Sequence, residues 1–225
     1  MIAGVDEAGR GPVIGPLIVV ALLFEDSSME ELKKIGARDS KKLSEKKRES
    51  LFNRILSLSK ASAIIKVTPD EITRWPGTMN ELEVEAFARA LNALLPRPSL
   101  VYLDAVDVVE ERFAMEVGRR LVYRPKLIAE HRADSKYLVV SAASIVAKVI
   151  RDREIKKLHE LYGNFGSGYP GDPLTREFLI KYYREHGDFP PIVRRNWKTL
   201  EKIRRLAGRP RVQRDIREYL RPRDI

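Results

Sequence analysis

The sequence contains no cysteine and only three histidines. Without thiol groups the chain can form neither disulfide bonds nor thiolate metal sites. His131, His159 and His186 are scattered along the sequence, so each is expected to be structural or exposed rather than a zinc ligand. Any metal site is therefore expected to use carboxylate oxygens.

Long apolar runs are also missing. The longest, PLIVVALLF at residues 16–24, is far shorter than the roughly 20 residues that a membrane-spanning helix needs. The N-terminus shows no basic segment followed by a cleavable apolar one. We therefore expect a soluble, cytoplasmic protein with no membrane partner.

Acidic residues are fewer than basic ones, 32 against 42, which gives a net charge of +10 and a pI of about 9.8. This excess suits a polyanionic partner such as nucleic acid or an acidic membrane surface, and charge alone does not choose between them. A chain of 225 residues is long enough for one large domain with appendages. We expect one domain over residues 1–207, including a helical C-terminal region, and a basic tail over residues 208–225.

Alternating strand and helix patterns predict an α/β fold. The connection between the first two strands is too short for a crossover helix, so they are expected to be antiparallel, whereas a helix separates the fourth and fifth, which are expected to be parallel. The result is a mixed five-stranded sheet flanked by helices. Ser44 is a predicted helix N-cap, and Thr78 with Glu81 forms a predicted capping box. The predicted strands are 1–5, 17–24, 62–68, 100–104 and 126–131, and the predicted helices are 45–58, 82–95, 109–121, 139–162, 173–186 and 197–207.

The segment GVDEAGRGPVIGP, residues 4–16, allows three interpretations. Its glycines loosely resemble a dinucleotide-binding loop, but that motif requires a following helix, and here a second strand follows. A solvated turn is the second interpretation. The third is a metal site, because Asp6 and Glu7 end the first strand where glycines let the backbone bend.

Two further acids favour the metal site. Asp104 ends the apolar strand LVYLD, and Asp134 lies just past the fifth strand. Strand ends are where ligands gather in sheets flanked by helices. Carboxylates without cysteine suit Mg²⁺ or Mn²⁺, and a pair of such ions ~4 Å apart can activate water and stabilise the leaving oxygen of a phosphodiester. A basic protein with such a centre indicates a nuclease or polymerase-like enzyme.

Six motifs together resemble the ribonuclease HII family, type 2 ribonuclease H, most closely its archaeal members: GVDEAGRGPVIGP, RDSKKLS, YLDAVD, HRADSK, VSAASIVAK and GSGYPGDP. The resemblance runs from residue 1 to about residue 200 and implies a ribonuclease H-like fold with a helical C-terminal region. It implies cleavage of the RNA strand of RNA–DNA hybrids and of single ribonucleotides embedded in duplex DNA. By the same resemblance, Asp6 would bridge two metal ions, and Glu7, Asp104 and Asp134 would complete their shells.

Substrate contacts are predicted at four places. The backbone of Gly9-Arg10-Gly11 would approach the 2′-hydroxyl in a minor groove, or the glycines serve only a tight turn. Tyr169, by resemblance, would stack on the sugar beside the RNA-to-DNA junction, although a tyrosine before a proline is more often a packing residue. Phosphate contacts are predicted for Ser40 and Lys42 in a loop, and for Ser141, Ser144 and Lys148 along one helix face, with solvation as the alternative in each case.

The tail carries Gln213-x-x-Ile216-x-x-Tyr219-Leu220, which resembles the peptide by which repair proteins dock on the replication sliding clamp. Leu220 departs from that motif, which prefers a second aromatic residue. The alternative is a helical turn that packs on the protein's own body. We expect a monomer. Two other functions stay open at this stage: a non-catalytic nucleic-acid-binding protein, and another nuclease of the same fold such as a resolvase or a type 1 ribonuclease H.

Overall fold

The computed structural model describes residues 1–37 and 43–208. Five strands form one sheet in the order β3-β2-β1-β4-β5, with β1 in the centre. The first two strands are antiparallel and the fourth and fifth are parallel, so both predicted pairings are confirmed. All five predicted strands are confirmed to within a few residues: β1 is Ile2–Ala8, β2 is Leu17–Phe24, β3 is Ala61–Val67, β4 is Leu100–Asp104 and β5 is Lys126–Glu130.

The six predicted helices are confirmed, and within residues 1–37 and 43–208 three short α-helices were not predicted. The six are α2 (Glu45–Leu58), α4 (Met79–Ala93), α5 (Glu110–Arg119), α7 (Leu138–Tyr162), α8 (Pro173–His186) and α9 (Thr199–Ala207). The unpredicted ones are α1 (Met29–Lys34), α3 (Pro69–Arg74) and α6 (Ala133–Lys136). Each of these spans fewer than two turns, which is too short for a 3.6-residue hydrophobic period to show.

Helix caps follow the sequence signals. The Ser44 side chain accepts a hydrogen bond from the Lys47 amide at the start of α2. Thr78 and Glu81 form the predicted capping box at α4. A second capping box, Thr68 with Glu71, begins α3, and its S/T-x-x-E spacing with a proline at the first helical position could have predicted that helix.

The sheet is buried between two helical layers. Alternate residues of β2 point to opposite faces, so Val19 packs on the side of α4 and α5, while Val20 packs on the side of α2 and α7. This double burial explains why β2 is apolar throughout. A third cluster joins Ile14 to α8 and α9, and an isolated bridge pairs Ile14 with Val193.

The start of α7 lies directly on the backbone of β1. A Cβ atom at Gly4 would overlap the backbone of Val139 and Val140, so only glycine permits this approach. The contact sets the position of α7 along β1, two residues before Asp6. No helix within residues 1–37 and 43–208 combines the length and the apolar character needed to cross a bilayer.

Candidate active site

Parallel pairing places Asp6 beside Asp104. Strand β1 runs parallel to β4 with Ile2 opposite Leu100 and Val5 opposite Leu103. The next residue on each strand is an aspartate, so both carboxylates emerge at the same edge of the sheet. Asp6 is only 3% exposed, and Asp104 is partly buried.

Asp134 reaches the same edge through the turn after β5. Arg132 adopts the left-handed conformation, with φ of 56°, and α6 begins at the next residue. The Ala133 amide donates a hydrogen bond to Asp104 Oδ1 at 2.8 Å, which ties this turn to the end of β4. Asp134 is 2% exposed. The structure therefore brings Asp6, Asp104 and Asp134 to one region, as the sequence predicted.

The acids perturb one another in a desolvated environment. Burial raises the pKa of Asp6 well above its usual value, and the charges of Glu7 and Asp104 add to the rise. Burial, together with the charges of Glu83 and Asp104, raises the pKa of Glu7 to about 8, against the opposing effect of Arg10. In the metal-free protein these two carboxyl groups therefore hold their protons at a higher pH than exposed carboxyl groups do.

The donor set fits a hard divalent cation. Glu7 Oε2 is buried and has no hydrogen-bond partner, so a cation would supply the missing interaction. Carboxylate oxygens are the ligands that Mg²⁺ and Mn²⁺ prefer. Among the described residues, no three His, Cys, Asp or Glu side chains already converge tightly enough to hold an ion.

One face of α7 lies against the acids. The Ser144 side chain is hydrogen-bonded to Asp6, and the positive charge of Lys148 opposes the rise in the pKa of Asp6. Lys148 Nζ donates to Ser144 Oγ at 2.9 Å. Ser141 is buried, and its Oγ has no hydrogen-bond partner. The predicted phosphate contacts of these three residues stay predictions; in the structure, Ser144 and Lys148 interact with the acidic centre itself.

The Gly9-Arg10-Gly11 segment, which we call the GRG loop, is held from behind by Arg194. Gly9 has φ of +93°, and a Cβ there would lie 2.7 Å from the Pro16 carbonyl oxygen, so glycine is required. The fully buried Arg194 guanidinium donates to the carbonyl oxygens of Gly9 (2.6 Å), Arg10 (2.9 Å) and Gly15 (2.9 Å). The loop conformation is therefore set by the C-terminal region.

Arg194 and Trp197 were not predicted as site residues. Trp197 Nε1 donates to the Gly11 carbonyl oxygen at 3.2 Å, and the Arg194 guanidinium lies 4.9 Å from the centre of the Trp197 ring. The available signal was the short segment PPIVRRNW, in which arginines lie between apolar residues and a tryptophan. That pattern suggests a buried arginine but does not identify its partners.

Arg10 pairs with α4. Its guanidinium forms an ion pair with the fully buried Glu83 and donates to Asn80 Oδ1 at 2.7 Å. Burial raises the pKa of Glu83 to about 7, and Arg10 opposes that rise. Glu83 was also missed, although its position one helical turn before the buried Phe87 marks a charged residue on the apolar face of α4.

Tyr169 lies over the GRG loop. A Cβ atom at Gly11 would be 3.4 Å from Cε1 of the Tyr169 ring, and the Val13 amide donates to the Gly168 carbonyl at 2.8 Å. The ring is 43% exposed, so it can contact a ligand. The structure therefore brings together the two segments predicted to read the substrate.

The remaining predicted site residues fall outside the described residues. They are Ser40 and Lys42, which precede α2 in the sequence, and Gln213, Ile216, Tyr219 and Leu220 near its C-terminal end.

Comparison with known proteins agrees with this architecture. A family model described as Ribonuclease HII matches residues 3–200. The chain is 53% identical to a Ribonuclease HII of Thermococcus sibiricus, over 98% of each chain. It resembles the crystal structure of the ribonuclease H2 from Pyrococcus horikoshii OT3 with a TM-score of 0.88 and 51% identity, covering 92% of this chain and 98% of that one. It also resembles a structure of the PCNA:RNase HII complex from Archaeoglobus fulgidus, with a TM-score of 0.82 and 42% identity over 91% and 97% of the two chains. The expected ribonuclease H-like fold is confirmed.

The raised pKa of Glu7 predicts how the metal-free protein responds to pH. The folded protein keeps a proton on Glu7 that the unfolded chain loses at lower pH, so stability falls as pH rises from about 4.5 towards 8. Glu7→Gln removes this titration and should raise the melting temperature at pH 8 by about 2–6 °C, with a smaller effect at pH 5. Thermal unfolding in EDTA measures both values. The exposed Glu30→Gln is the matched control and should show no such difference. An equal effect of Glu7→Gln at the two pH values would contradict the prediction.

Proposed function

The chain belongs to the ribonuclease HII family, and from that premise we propose that it cuts RNA–DNA hybrids and single ribonucleotides embedded in duplex DNA. As a member of that family it is an endoribonuclease, which leaves no place for the alternatives of a non-catalytic binding protein, a resolvase or a type 1 ribonuclease H. The observation that supports the proposal is the placement of Asp6, Asp104 and Asp134 at one sheet edge, next to the GRG loop.

The carboxylates are proposed to hold two divalent ions. Dependence on divalent metal is typical of this family. Asp6, Glu7, Asp104 and Asp134 would hold these ions. When bound, Mg²⁺ or Mn²⁺ would supply activation of the attacking water and stabilisation of the leaving oxygen. The Ser144 hydroxyl and the Lys148 ammonium would keep Asp6 oriented on the side of α7. The cut would fall 5′ to the ribonucleotide and leave a 3′-hydroxyl and a 5′-phosphate.

Substrate selection is proposed to depend on the GRG loop and Tyr169. Because Arg194 and Trp197 take up the loop carbonyls, the loop needs no reordering when a duplex arrives. Its backbone would then read the 2′-hydroxyl, which distinguishes RNA from DNA. The exposed ring of Tyr169, which lies directly over Gly11, would stack on the sugar next to the ribonucleotide.

Docking on a sliding clamp is a further part of the proposal. A structure similar to this chain is that of a PCNA:RNase HII complex from Archaeoglobus fulgidus. The tail of this chain carries Gln213, Ile216, Tyr219 and Leu220 at the spacing of a clamp-binding peptide. The aliphatic and aromatic side chains would fill an apolar pocket, with the glutamine in a separate polar one. Leu220 offers a smaller anchor than an aromatic residue would, so affinity should be moderate.

Asp104→Asn tests the catalytic centre. The substitution should lower cleavage of a DNA duplex containing one ribonucleotide by roughly a hundredfold or more, because charge stabilisation is lost. Binding of the duplex in EDTA, measured by fluorescence anisotropy, should change little because the basic surface remains. Glu130→Gln is the matched control: Glu130 lies opposite Asp104 on β5 and is engaged by Lys136 and Tyr137 instead. Full activity of Asp104→Asn would refute the assignment.

Tyr169→Ala tests junction sensing. Loss of the stacking ring should lower kcat/KM for a single embedded ribonucleotide about tenfold more than for a long hybrid, since only the former depends on a junction sugar. Tyr169→Phe keeps the ring and should keep the ratio of the two values. Equal losses on both substrates would remove the junction role while leaving the catalytic proposal intact.

Removal of residues 212–225 tests the clamp motif. The shortened chain should cleave short duplexes about as well as the full chain, but calorimetric titration with the cognate clamp should show no binding. Ile216→Ala combined with Tyr219→Ala should reproduce this loss, whereas Arg217→Ala, between the anchors, should not. If the shortened chain binds the clamp normally, or unfolds, the tail has another role.

A further inference from the structure

Arg151 occupies the space between the GRG loop and Tyr169. It is 9% exposed, and its terminal nitrogen donates to the Ser167 carbonyl oxygen at 2.9 Å. The guanidinium carbon lies 5.2 Å from the centre of the Tyr169 ring. On the other side, a Cβ atom at Gly9 would lie 3.0 Å from Arg151 Cδ and 3.1 Å from Nε. One side chain therefore contacts both segments that are proposed to recognise the substrate.

The surroundings of Arg151 are unfavourable for a purely structural arginine. Arg151 Nε is buried and has no hydrogen-bond partner. Its nearest acidic oxygen, in Asp152, is 3.9 Å away. The second buried guanidinium, Arg194, is close enough for Arg151 to help lower the pKa of Arg194, after the larger effect of burial. A buried charge with incomplete pairing opposes folding, so apolar side chains would fill this space at lower cost in stability.

Helix α7 connects this arginine rigidly to the acidic centre. Ser144 and Lys148, which interact with Asp6, lie on the same helix, and Arg151 follows Lys148 by three residues, on the same face. A shift of α7 along β1 would bring its backbone against Ile2 or Asp6, which lie on the same face of the strand as Gly4 and carry side chains. The distance between Arg151 and the groups that contact Asp6 is therefore set by one helix.

We propose that Arg151 is a positioning residue, which holds the Tyr169 ring and the Gly9 backbone at a fixed distance from the carboxylates and so favours single embedded ribonucleotides over long hybrids. The planar guanidinium stacks on the Tyr169 ring and donates a hydrogen bond to the Ser167 carbonyl oxygen. A methionine can make neither interaction, and a lysine can donate the hydrogen bond but has no flat group to stack on the ring. This inference rests on the junction role proposed above for Tyr169.

A double-mutant cycle tests the proposal. The measured quantity is the ratio of kcat/KM for a duplex with one ribonucleotide to kcat/KM for a long hybrid. Arg151→Met should lower that ratio about threefold to tenfold. Combined with Tyr169→Ala, it should lower the ratio no further than Tyr169→Ala alone, because both changes remove the same interaction.

Arg153→Met is the matched control. Arg153 lies on the same helix, carries the same charge and stacks on Phe52 at 4.2 Å, away from the GRG loop. The ratio of the two kcat/KM values for Arg153→Met should equal that of the unsubstituted protein, even if the lost charge weakens binding to both substrates. A drop as large as that of Arg151→Met, or losses from Arg151→Met and Tyr169→Ala that multiply, would overturn the proposal. If Arg151→Met does not fold, Arg151→Lys replaces it and should also lower the ratio, because the flat stack on Tyr169 is lost; an unchanged ratio would overturn the proposal.

A spectroscopic readout separates this inference from the function on which it rests. With ¹³C-labelled tyrosine, the Tyr169 ring resonances should shift in Arg151→Met and stay in place in Arg153→Met. If Tyr169→Ala leaves the substrate ratio unchanged while this shift occurs, the junction role fails but the contact stands. If the resonances do not move, Arg151 does not hold the ring and the inference is wrong.

Discussion

The close contact between α7 and β1 at Gly4 is the constraint on which the rest of the site depends. Since no side chain separates helix from strand there, the position of α7 along β1 is fixed. Asp6 follows two residues later on the strand, and Ser144, Lys148 and Arg151 follow on the helix. A single backbone contact thus sets the geometry between the carboxylates, the groups that orient them and the arginine beside Tyr169.

The site concentrates charges that the fold alone would not favour. Burial and mutual repulsion raise the pKa of Asp6 and Glu7, while burial lowers the pKa of Arg194 to about 9. Arg194 nevertheless does not neutralise Asp6 and Asp104: these acids lie at the ends of β1 and β4, and the Arg194 guanidinium donates to the backbone carbonyls of Gly9, Arg10 and Gly15. If the acids and Arg194 paired directly, the carboxylates would be neutralised by arginine and would have less need of a metal ion.

Much of this arrangement was predictable from the sequence, because the strands are short, apolar and bounded by turns, and because strand ends identify Asp6, Asp104 and Asp134. The missed residues have a common physical cause. Arg194 contacts Gly9 across 185 positions, and Glu83 contacts Arg10 across 73. Periodicity reports which residues are buried, but it carries no information on which distant backbone group a buried polar side chain meets. The short helix α6 was not predicted because four residues are too few to show a helical hydrophobic period.

The hydrogen bonds of Arg194 change how the C-terminal region is understood. The sequence predicts the C-terminal region only as helices that follow the sheet. In the structure, Arg194 and Trp197 of this region donate hydrogen bonds to the carbonyl groups of the GRG loop. The carboxylates come from the sheet, whereas the conformation of the loop that would read the 2′-hydroxyl comes from residues near position 195. Since a shift of that loop by even 1 Å would misplace a bound ribonucleotide, chemistry and recognition depend on both parts remaining packed together. We infer that residues 1–37 and 43–207 act as one unit, in which the segment between α8 and α9 holds the loop that is proposed to select the substrate, and the sheet holds the carboxylates.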